Sequence, residues 1–389
     1  MSRGPLRQAF RRRPRPSGER IVVHVTTTDM SLDWLLGPQL VAFGNAGYRV
    51  VGMSAPGEHL DHLRELGVEH VAIEEFTRSS SIAADLRAFV SLVRALRRLR
   101  PDIVHTHNPK PGVLGRFAGR LTRTPLVVNT QHGLWAQPTD RRRRRWPVYA
   151  VERLAAAFSD VELVQNPEDV AVLTDLLRVP APRVELLGNG IDLSRFDPGA
   201  VTPADRARRR ADWGVADNSV LCLVVGRLVR EKGIAEIIAA TETLDERVDV
   251  VIVGPSDDSK TDSVVGVDTG RVRFVGRHDD MPECYAAADV FLTASWREGM
   301  PRSAMEAAAM GLPTVATDVR GNRHVVADGE TGLLVEVRNP ASIARAVDEL
   351  ATDPAKRRRL GDGAVRRAHE LFDQRVVIER TLSAYDRLA

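Results

Sequence analysis

Residues 296–316 have the sequence WREGMPRSAMEAAAMGLPTVA, which predicts a loop, a small-residue helix and a short apolar strand. Pro301 suits the first helical position, because its missing N–H would have no intrahelical partner there. The helix therefore begins beside Glu298, and its exposed N–H groups could hold an anion or a polyhydroxylated ring. Glu306 lies about one and a half turns further along. Taken alone, the two glutamates are more typical of a solvated helix.

Short apolar strands alternate with helices on both sides of this stretch. In the first half, the sequence predicts strands at 21–27, 48–55, 69–73, 102–107, 126–132, 161–166 and 184–190. In the second half, it predicts strands at 219–226, 249–254, 272–276, 289–295, 313–317 and 331–335. This alternation predicts an α/β fold with right-handed crossovers and parallel, doubly wound sheets. Such sheets bind ligands at the carboxyl ends of their strands. Polar residues lie there: His24, Thr26, His105, His107, His132 and Asn189.

The length of the chain indicates two domains. A chain of 389 residues exceeds what one hydrophobic core usually organises, and the alternation pauses between residues 198 and 218. We therefore predict two Rossmann-like domains in series. The predicted segments are a disordered basic tail at 1–20, an N-terminal domain at 21–198, a linker at 199–218, a C-terminal domain at 219–368 and a C-terminal helix at 369–389 that packs back toward the N-terminal domain.

Positive charge is concentrated at the amino terminus. Residues 1–20 contain seven arginines and one glutamate, whereas the net charge of the whole chain is +3. A cationic tail on a nearly neutral body argues against a nucleic-acid-binding fold and for a local electrostatic contact.

Cys222 and Cys284 lack neighbours at metal-ligand spacing, which predicts free thiols in a reducing compartment. Because no apolar run approaches the ~20 residues that span a bilayer and no secretory signal pattern is present, we expect a cytoplasmic protein.

Residues 224–233, VVGRLVREKG, place two cations directly after a buried-type strand. Gly226 lets the backbone approach a ligand. Arg227 and Lys232 could clamp a diphosphate, the first as a planar fork and the second as a point charge. A basic turn on a solvated surface is an equally good interpretation of this segment alone.

Residues 272–290, VRFVGRHDDMPECYAAADV, repeat this arrangement of a strand, a glycine and an arginine, here Gly276 and Arg277. The loop could hold a nucleobase through backbone groups. Asp279 and Asp280 could suggest a metal site, but adjacent acids before a helix are more often caps.

Histidines follow strands of the first half in VHTHNPKPG (104–112) and NTQHGLW (129–135). A lone histidine is more often a structural residue than a catalyst. His132, however, directly follows a buried-type strand and precedes a glycine, so we expect its ring in the carboxyl-end crevice, where a near-neutral pKa is useful. His107 and Lys110 border the same edge and could bind acceptor oxygens or phosphate.

Together these motifs resemble the signature of the family 4 retaining glycosyltransferases. The resemblance covers about residues 20–385 and rests on GRLVREKG (226–233), the Gly276-Arg277 turn, EGMPRSAME (298–306) and TGLLV (331–335). Two further segments, HTHNPKPGVLGRFAGRL (105–121) and NTQHGL (129–134), resemble the subgroup that assembles capsule, exopolysaccharide and lipid-linked oligosaccharide. The resemblance implies the GT-B fold, in which two Rossmann-like domains have parallel sheets that face each other across a cleft.

The resemblance also implies roles for individual residues. The implied binders of the nucleotide-sugar donor are Gly226, Arg227, Lys232, Gly276, Arg277, Glu298, Gly299, Met300 and Glu306. Within this set, Arg227 and Lys232 match the diphosphate binders and Glu306 matches the ribose binder. Glu298, with the amides of Gly299 and Met300, matches the contacts to the donor sugar.

His132 matches the active-site histidine of the family. The implied catalytic residues are His132, Glu298, Arg227 and Lys232, and the acceptor-side residues are His107, Lys110 and Thr27. Thr27 is included because TTTDMSLDW (26–34) replaces the Gly-Gly loop that many relatives carry after the first strand. No glycine contact can be assigned at that position.

A retaining transferase replaces a nucleoside diphosphate at the anomeric carbon by an acceptor hydroxyl on the same face. Stabilisation of the leaving diphosphate by two cations and helix amides is then the main electrostatic contribution. We expect neither a cofactor nor a metal, because the cations supply this charge and the sequence lacks a convincing Asp-x-Asp site. The implied donor is a UDP-hexose or UDP-N-acetylhexosamine, and the preferred acceptor is a lipid-linked sugar in polysaccharide or glycan assembly.

Basic segments suggest contact with an anionic membrane. The tail and the run Arg141–Arg145 beside Trp146 could each hold the protein at the surface, with about 1 kcal/mol from each arginine near the headgroups. This places the protein peripherally at the inner face of the cell membrane. The alternative is that the tail only solubilises the chain and the arginines form a solvated helix start.

Three other functions fit parts of the sequence. A UDP-sugar epimerase could share the fold but would need no acceptor. A dinucleotide oxidoreductase is disfavoured, since no G-x-G-x-x-G follows the first strand of either half. A nucleic-acid-binding protein would explain the arginine tail but not the donor motifs.

Overall fold

The computed structural model of the protein describes residues 19–76, 81–107, 109–255 and 271–388. The predicted basic tail lies outside these ranges except for its last two residues. The chain forms two compact units. The first unit comprises residues up to Leu187 together with those from Val377 onward, and the second comprises Gly188–Val376.

The first unit contains a parallel sheet, seven-stranded in its described residues, with the order β3-β2-β1-β4-β5-β6-β7. Its strands are β1 (Arg20–Thr28), β2 (Tyr48–Ala55), β3 (Glu69–Ala72), β4 (Ile103–His107), β5 (Leu126–Gln131), β6 (Val161–Val164) and β7 (Val184–Leu186). The connecting helices are α1 (Gly37–Asn45), α2 (Leu60–Glu65), α3 (Ile82–Leu99), α4 (Pro109–Leu121), α5 (Arg142–Ala156) and α6 (Pro167–Ala171). Short π-helical segments, Ser31–Leu36 and Val172–Leu176, extend α1 and α6.

The central strands of this sheet are buried on both faces, which is why they read as continuous apolar runs. In the register between β1 and β4, His24 is opposite His105, and between β4 and β5, His107 is opposite Thr130. The carboxyl ends of these strands therefore bring polar residues from separate parts of the sequence to one edge of the sheet, as the sequence predicts.

The second unit contains a parallel sheet, six-stranded in its described residues, with the order β10-β9-β8-β11-β12-β13. Its strands are β8 (Val220–Val225), β9 (Val248–Val253), β10 (Val272–Gly276), β11 (Val290–Thr293), β12 (Thr314–Thr317) and β13 (Gly332–Val335). Its helices are α7 (Pro203–Asp212), α8 (Ile234–Ala240), α9 (Met281–Ala287), α10 (Arg302–Ala309), α11 (Arg320–Val325), α12 (Pro340–Thr352), α13 (Pro354–Leu371) and α14 (Gln374–Leu388), and the residues of α14 from Val377 belong to the first unit. Both sheets have the doubly wound order, so the predicted fold class is confirmed.

The predicted linker at 199–218 is part of the second unit. Helix α7 forms half of it and packs against α9. Arg206 and Arg210 both donate hydrogen bonds to the carboxylate of Asp289, at 2.8 and 3.1 Å. The arginines that resemble part of a solvated linker in the sequence therefore form ion pairs within the second unit.

The other unit boundaries also differ from the predicted ones. The first unit ends at Leu187 and not at 198, and residues 188–198 belong to the second unit. The reason is that Ile191 pairs with Asp373 in a short parallel bridge, in which the N–H of Ile191 donates to Phe372 at 2.8 Å. The predicted C-terminal helix at 369–389 accordingly joins the first unit only from Val377 onward. There Tyr385 is fully buried against Phe43.

Candidate active site

Lys232 and Glu298, which are both predicted site residues, form an ion pair in the second unit. Lys232 closes a 3₁₀ turn after β8, and its Nζ donates to Glu298 Oε1 at 2.6 Å. The side chains are 27% and 12% exposed, so the pair is partly shielded from water. A Cβ built on Gly226 would lie 3.8 Å from the Lys232 stem, which places the glycine of the predicted loop beside the same cation.

Gly233 fixes the position of this loop. Its φ of +71° lies in the left-handed region, and an added Cβ would lie 2.1 Å from the carbonyl oxygen of Ala294. Only glycine tolerates both conditions without strain. The loop that carries Lys232 is therefore pressed against the segment that leads to Glu298.

Trp296 connects the same two loops. Its backbone N–H donates to the carbonyl of Glu231 at 2.8 Å, and its Nε1–H donates to Glu236 Oε1 at 3.0 Å. The guanidinium carbons of Arg230 and Arg338 lie 5.5 and 3.8 Å from the centre of the indole ring, within the range of cation–π attraction. These contacts hold the Lys232 turn and the Glu298 loop together.

The loop from Glu298 to Met300 packs against α11. A Cβ on Gly321 would lie 2.6 Å from the carbonyl oxygen of Gly299, so the two segments are in direct contact. The amide of Asn189 donates to the carbonyl of Met300 at 3.1 Å. Pro301 is the residue preceding α10 and has an extended ψ of 119°; the prediction that it occupies the first helical position was wrong by one residue.

Glu306 lies on α10 and is half-buried. Its Oε2 accepts a hydrogen bond from the hydroxyl of Tyr285 at 2.8 Å. Burial raises the pKa of Glu306, while Arg302 and the Tyr285 hydrogen bond act in the opposite direction. A carboxylate that is held by one hydroxyl and a nearby cation can accept hydrogen bonds from a diol.

Gly276 ends β10 with a φ of +73°, and its carbonyl accepts from the N–H of Gly254 at 2.8 Å. Arg277 forms an exposed ion pair with Asp279 at 3.2 Å. Asp280 accepts a hydrogen bond from the N–H of Glu283 at 3.2 Å and caps α9. The capping interpretation of Asp280 is therefore confirmed.

Four histidines of the first unit lie together at the carboxyl ends of β1, β4 and β5. His107 Nδ1 is 3.0 Å from His132 Nε2, and His107 Nε2 is 3.0 Å from His24 Nδ1. His105 contacts two hydroxyls, Tyr385 Oη at 2.5 Å and Thr130 Oγ1 at 2.7 Å. Two predicted site residues, His107 and His132, are thus brought into direct contact.

Burial changes the protonation of this histidine cluster. It lowers the pKa of His24 to about 3 and that of His132 to about 4, where the side chain of Gln165 acts in the opposite direction. It also lowers the pKa of His105 and His107 well below the usual value. The expected near-neutral pKa of His132 was therefore wrong: the residue is half-buried, and loss of solvation disfavours its charged form, so it is neutral at pH 7.

The predicted acceptor-side residues have different surroundings. His107 is fully buried between His24 and His132, so it supports His132 and does not offer a separate surface. Lys110 pairs with Asp85 of α3 at 2.7 Å. Thr27 is half-buried near the end of β1.

Three histidines of the same cluster lie close enough together to be compared with a metal site. Within the described ranges, His24, His105 and His107 form the set of three side chains whose ligand atoms lie within 4.8 Å of one another. Hydrogen bonds already engage both nitrogens of His105 and of His107. Nitrogens engaged in this way are not positioned to ligate one ion.

Known proteins match the chain in sequence. The profile of the group 1 glycosyl transferases matches residues 205–367, and that of glycosyltransferase family 4 matches residues 40–195. The chain is 30% identical over 286 residues to the UDP-Gal:alpha-D-GlcNAc-diphosphoundecaprenol alpha-1,3-galactosyltransferase of Escherichia coli, and the match covers 71% of this chain and 73% of that protein. The chain is a family 4 glycosyltransferase of group 1.

Other known proteins resemble this glycosyltransferase in sequence or in structure. It is 32% identical over 315 residues to the D-inositol 3-phosphate glycosyltransferase of Corynebacterium efficiens, and the match covers 74% of this chain and 72% of that protein. In structure it resembles HepE of Anabaena in complex with UDP and glucose, with a TM-score of 0.79 and 19% identity over 95% of this chain and 100% of that chain. The predicted GT-B fold is confirmed.

Sequence reasoning missed several residues that support the loops at Lys232 and Glu298 and the side chain of Glu306. Trp296 and Tyr285 lie inside the motifs at 296–316 and 272–290, and Gly321 lies outside the motifs, in α11. An indole beside a basic loop was an available signal for Trp296. Tyr285 and Gly321 gave none, because their partners are distant in sequence.

The histidine cluster predicts that the glycosyltransferase loses stability in mild acid. A histidine whose folded-state pKa is below its unfolded value of 6.5 stabilises the protein above that value, and the contribution is lost as the pH falls toward the folded pKa. For His24 and His132, this window extends from 6.5 down to about 3 and about 4. Urea unfolding between about pH 6.5 and 5 should therefore show an average slope of about 1 kcal/mol per pH unit for each of these two histidines.

Variants separate this effect from the titration of surface groups. The His132→Asn variant should reduce the slope by about one proton. The His369→Gln variant is the matched control, because His369 is exposed on α13 and should leave the slope unchanged. A pH-independent unfolding free energy of the wild-type first unit in this window would contradict the prediction.

Proposed function

We propose that this enzyme transfers a sugar, with retention, from a UDP-sugar to a hydroxyl of a lipid-linked sugar. The observation that supports the proposal most directly is the 2.6 Å ion pair between Lys232 and Glu298. It joins the cation proposed for the diphosphate to the carboxylate proposed for the donor sugar. A bound nucleotide-sugar would place its own phosphate and hydroxyls between these groups and so replace one compact ion pair by two charge-assisted contacts.

In the proposed donor complex, Lys232 and Arg227 contact the diphosphate and Glu306 accepts hydrogen bonds from the ribose. Tyr285 supports this role of Glu306, because its hydroxyl occupies only one of the carboxylate oxygens. The loop at Gly276 and Arg277 holds the base through backbone groups. UDP is the proposed nucleotide, since the relative in Escherichia coli uses UDP-Gal and HepE binds UDP.

In the proposed reaction, the bond between the anomeric carbon and the diphosphate breaks, a bond from the acceptor oxygen forms on the same face, and the proton of the acceptor hydroxyl passes to an oxygen of the leaving diphosphate. Negative charge develops on the leaving diphosphate, where the side chains of Arg227 and Lys232 stabilise it electrostatically. Glu298 orients hydroxyls of the donor sugar, and His132 contacts an oxygen of the substrates. No metal or cofactor is part of the proposal.

The proposed acceptor is a sugar on a lipid diphosphate, as in the name of the relative from Escherichia coli. The relative from Corynebacterium efficiens has D-inositol 3-phosphate as its named acceptor, so the two names point to different partners. The surface of the first unit favours the lipid. Trp135 and Trp146 are 60% and 51% exposed, and the guanidinium groups of Arg144 and Arg145 lie 5.9 and 5.8 Å from their ring centres.

Exposed tryptophans beside arginines are typical of the boundary between water and lipid headgroups. Helix α3, which like α5 packs against α4, adds an exposed apolar row at Ile82, Leu86 and Val90, with the spacing of one helix face. In the described part of the chain, no helix is both long enough and apolar enough to span a membrane. We therefore propose peripheral binding through this face of the first unit, in the cytoplasm.

Charge reversal tests the membrane contact. The Arg142→Glu/Arg143→Glu variant should bind vesicles with anionic lipid at least about tenfold more weakly, since each arginine near the surface contributes about 1 kcal/mol. Cosedimentation measures the change. The matched control is Arg345→Glu/Arg358→Glu, which changes the net charge equally at exposed positions of the second unit. Equal binding by both variants would contradict the proposed face.

Thermal stabilisation by a nucleotide-sugar panel tests the donor. A ligand at about 100 times its dissociation constant stabilises the native state by about 2.7 kcal/mol, so UDP and one UDP-sugar should raise the melting temperature. The Glu306→Gln variant should reduce the response to UDP. A response to GDP or ADP alone would contradict the proposed donor. Release of an epimerised UDP-sugar without acceptor would contradict transfer.

A further inference from the structure

We propose that Arg144 and Trp135 form an acceptor subsite in the first unit. In this subsite Arg144 binds the diphosphate of the acceptor, and Trp135 packs against the part of the lipid chain that follows the diphosphate. The inference rests on the proposed function, in which a lipid diphosphate carries the acceptor sugar. It assigns two exposed residues of the proposed membrane face to the acceptor itself rather than to the surrounding lipid.

The start of α5 lies at the same edge of the sheet as the histidine cluster. Strands β5 and β6 are parallel, so the helix that connects them begins at the carboxyl edge, where His132 directly follows β5. Trp135 is three residues from His132, and their Cα atoms are therefore at most about 11 Å apart. In a lipid-linked acceptor, one sugar ring separates the reacting hydroxyl from the diphosphate. A group that binds the diphosphate must lie about that far from a group at the hydroxyl.

The loop that follows His132 is attached to the start of α5. Arg145 donates a hydrogen bond to the carbonyl of Pro138. The guanidinium carbon of Arg144 lies 5.9 Å from the ring centre of Trp135, within the range of cation–π attraction. At the other end of the loop, the Nδ1 atom of His132 is buried and has no hydrogen-bond partner among the described residues. The loop therefore carries a cation and an aromatic ring at one end and an unsatisfied polar atom at the other.

The arginines at the start of α5 lack anionic partners. In the part of the chain that the structure describes, no carboxylate forms an ion pair with Arg141–Arg144. The first turn of α5 contains no acidic residue. Asp140 precedes the arginines, and its carboxylate accepts a hydrogen bond from the N–H of Gln137 at 2.8 Å. Cations at the N-terminus of a helix oppose its dipole, so a bound anion is favourable both to the arginines and to the helix.

A lipid diphosphate fits this subsite better than an ordinary phospholipid headgroup. A diphosphate offers several anionic oxygens to the planar guanidinium of Arg144, which binds such groups in a bidentate manner. The chain attached to the diphosphate is apolar and matches the exposed indole of Trp135. A headgroup of the bulk membrane satisfies the charge at any arginine of this face, whereas only the acceptor also places a sugar beside His132.

Farnesyl diphosphate tests the subsite, because it joins a diphosphate to an apolar chain without a sugar. Isothermal titration calorimetry on the full chain measures its affinity in the absence of vesicles. Binding should be at least about tenfold weaker in the Arg144→Gln variant, the usual result of losing a charge-assisted hydrogen bond. Arg153→Gln is the matched control, because Arg153 is exposed further along α5. Equal affinities of these two variants for farnesyl diphosphate would overturn the proposal.

Simpler probes separate the contributions of charge and chain. Farnesol and inorganic diphosphate should each bind at least about tenfold more weakly than farnesyl diphosphate, because the first lacks the charge and the second lacks the apolar area. The Trp135→Ala variant should bind farnesyl diphosphate more weakly and inorganic diphosphate equally well. Farnesol that binds as tightly as farnesyl diphosphate would overturn the role of Arg144. UDP should not displace the probe, since displacement would place the probe at the donor loops and overturn the assignment.

Vesicles of phosphatidylglycerol and phosphatidylcholine in equal parts separate the subsite from general membrane contact. The Arg142→Gln and Arg144→Gln variants should bind these vesicles equally, whereas only Arg144→Gln should lose affinity for farnesyl diphosphate. Equal losses of farnesyl diphosphate binding in both variants would indicate a nonspecific basic surface and overturn the subsite. Intact binding of farnesyl diphosphate without transfer to any lipid-linked sugar would contradict the proposed function and leave the subsite standing.

Discussion

Replacement of Lys232 by methionine should lower kcat/KM for sugar transfer by about 10²–10³-fold, the usual effect of removing one preorganised group that stabilises charge in the transition state. Methionine keeps the apolar stem beside Gly226 but removes the cation. Glu298 then loses the partner that lies 2.6 Å away, and its carboxylate repels the diphosphate of the donor. Transfer of radiolabelled sugar and binding of UDP should both be impaired.

A matched control exists in the same unit. Lys356 also forms an ion pair with a glutamate, Glu349, and is similarly exposed, but it lies on α13. The Lys356→Met variant should retain activity within about twofold, because an ion pair of this kind contributes no more than about 1 kcal/mol. Wild-type activity in the Lys232→Met variant would remove Lys232 from the proposed site.

The Glu298→Gln variant completes a double-mutant cycle with Lys232→Met. If the two residues contact one donor together, the combined loss should be smaller than the product of the separate losses, since each substitution disables the same complex. Independent losses that multiply would indicate that the two residues act at separate steps. His132→Ala provides a third comparison in the other unit, where we expect losses that do multiply with those of Lys232.

Replacement of Arg116 by methionine should destabilise the first unit by about 3–5 kcal/mol. Arg116 is 1% exposed and donates to Glu152 at 2.7 Å and to Glu162 at 2.9 Å. Its Nε also donates to the carbonyl of Gly112 at 2.7 Å. Removing the guanidinium leaves two buried carboxylates without their cation, and this uncompensated charge dominates the cost.

Local measurements are required, because a protein with two units need not unfold in a single step. Hydrogen exchange in urea, followed in peptides of β5 and α5, reports the stability of the first unit alone. The triple variant Arg116→Met/Glu152→Gln/Glu162→Gln should recover part of the loss, since it removes the buried charges together. The control Arg49→Met breaks a more exposed pair with Glu69 and should cost no more than about 1 kcal/mol. Equal losses at Arg116 and Arg49 would contradict the argument from burial.

Local pattern was sufficient to predict the strands of both sheets. Tyr48–Ala55 and Val272–Gly276 coincide with their predicted bounds, because short apolar, β-branched runs that are flanked by turn residues form buried strands in an α/β fold. The same pattern predicted that polar residues would meet at the strand ends. It also placed Lys232 and Glu298 after strands that prove to be neighbours, β8 and β11.

Charge pattern was a poorer guide. Residues 199–218 resemble a solvated linker because of their arginines, yet Arg210 is buried and binds Asp289. Arg116 likewise occurs in an ordinary basic helix sequence, GRFAGR, at 115–120. Sequence alone does not distinguish a buried ion pair from a solvated one, since the two differ only in what the rest of the chain places over them.

By itself, the sequence determined the α/β class, the order of the strands along the chain and the donor motifs, because backbone preference and apolar periodicity act over a few residues. The tertiary structure decided which charges are buried, where the units begin and end, and that His24, His107 and His132 meet. These properties depend on residues more than a hundred positions apart, such as His24 and His132, whose distance is fixed by sheet register. The contact between His107 and His132 therefore depends on sheet register, which no local motif encodes.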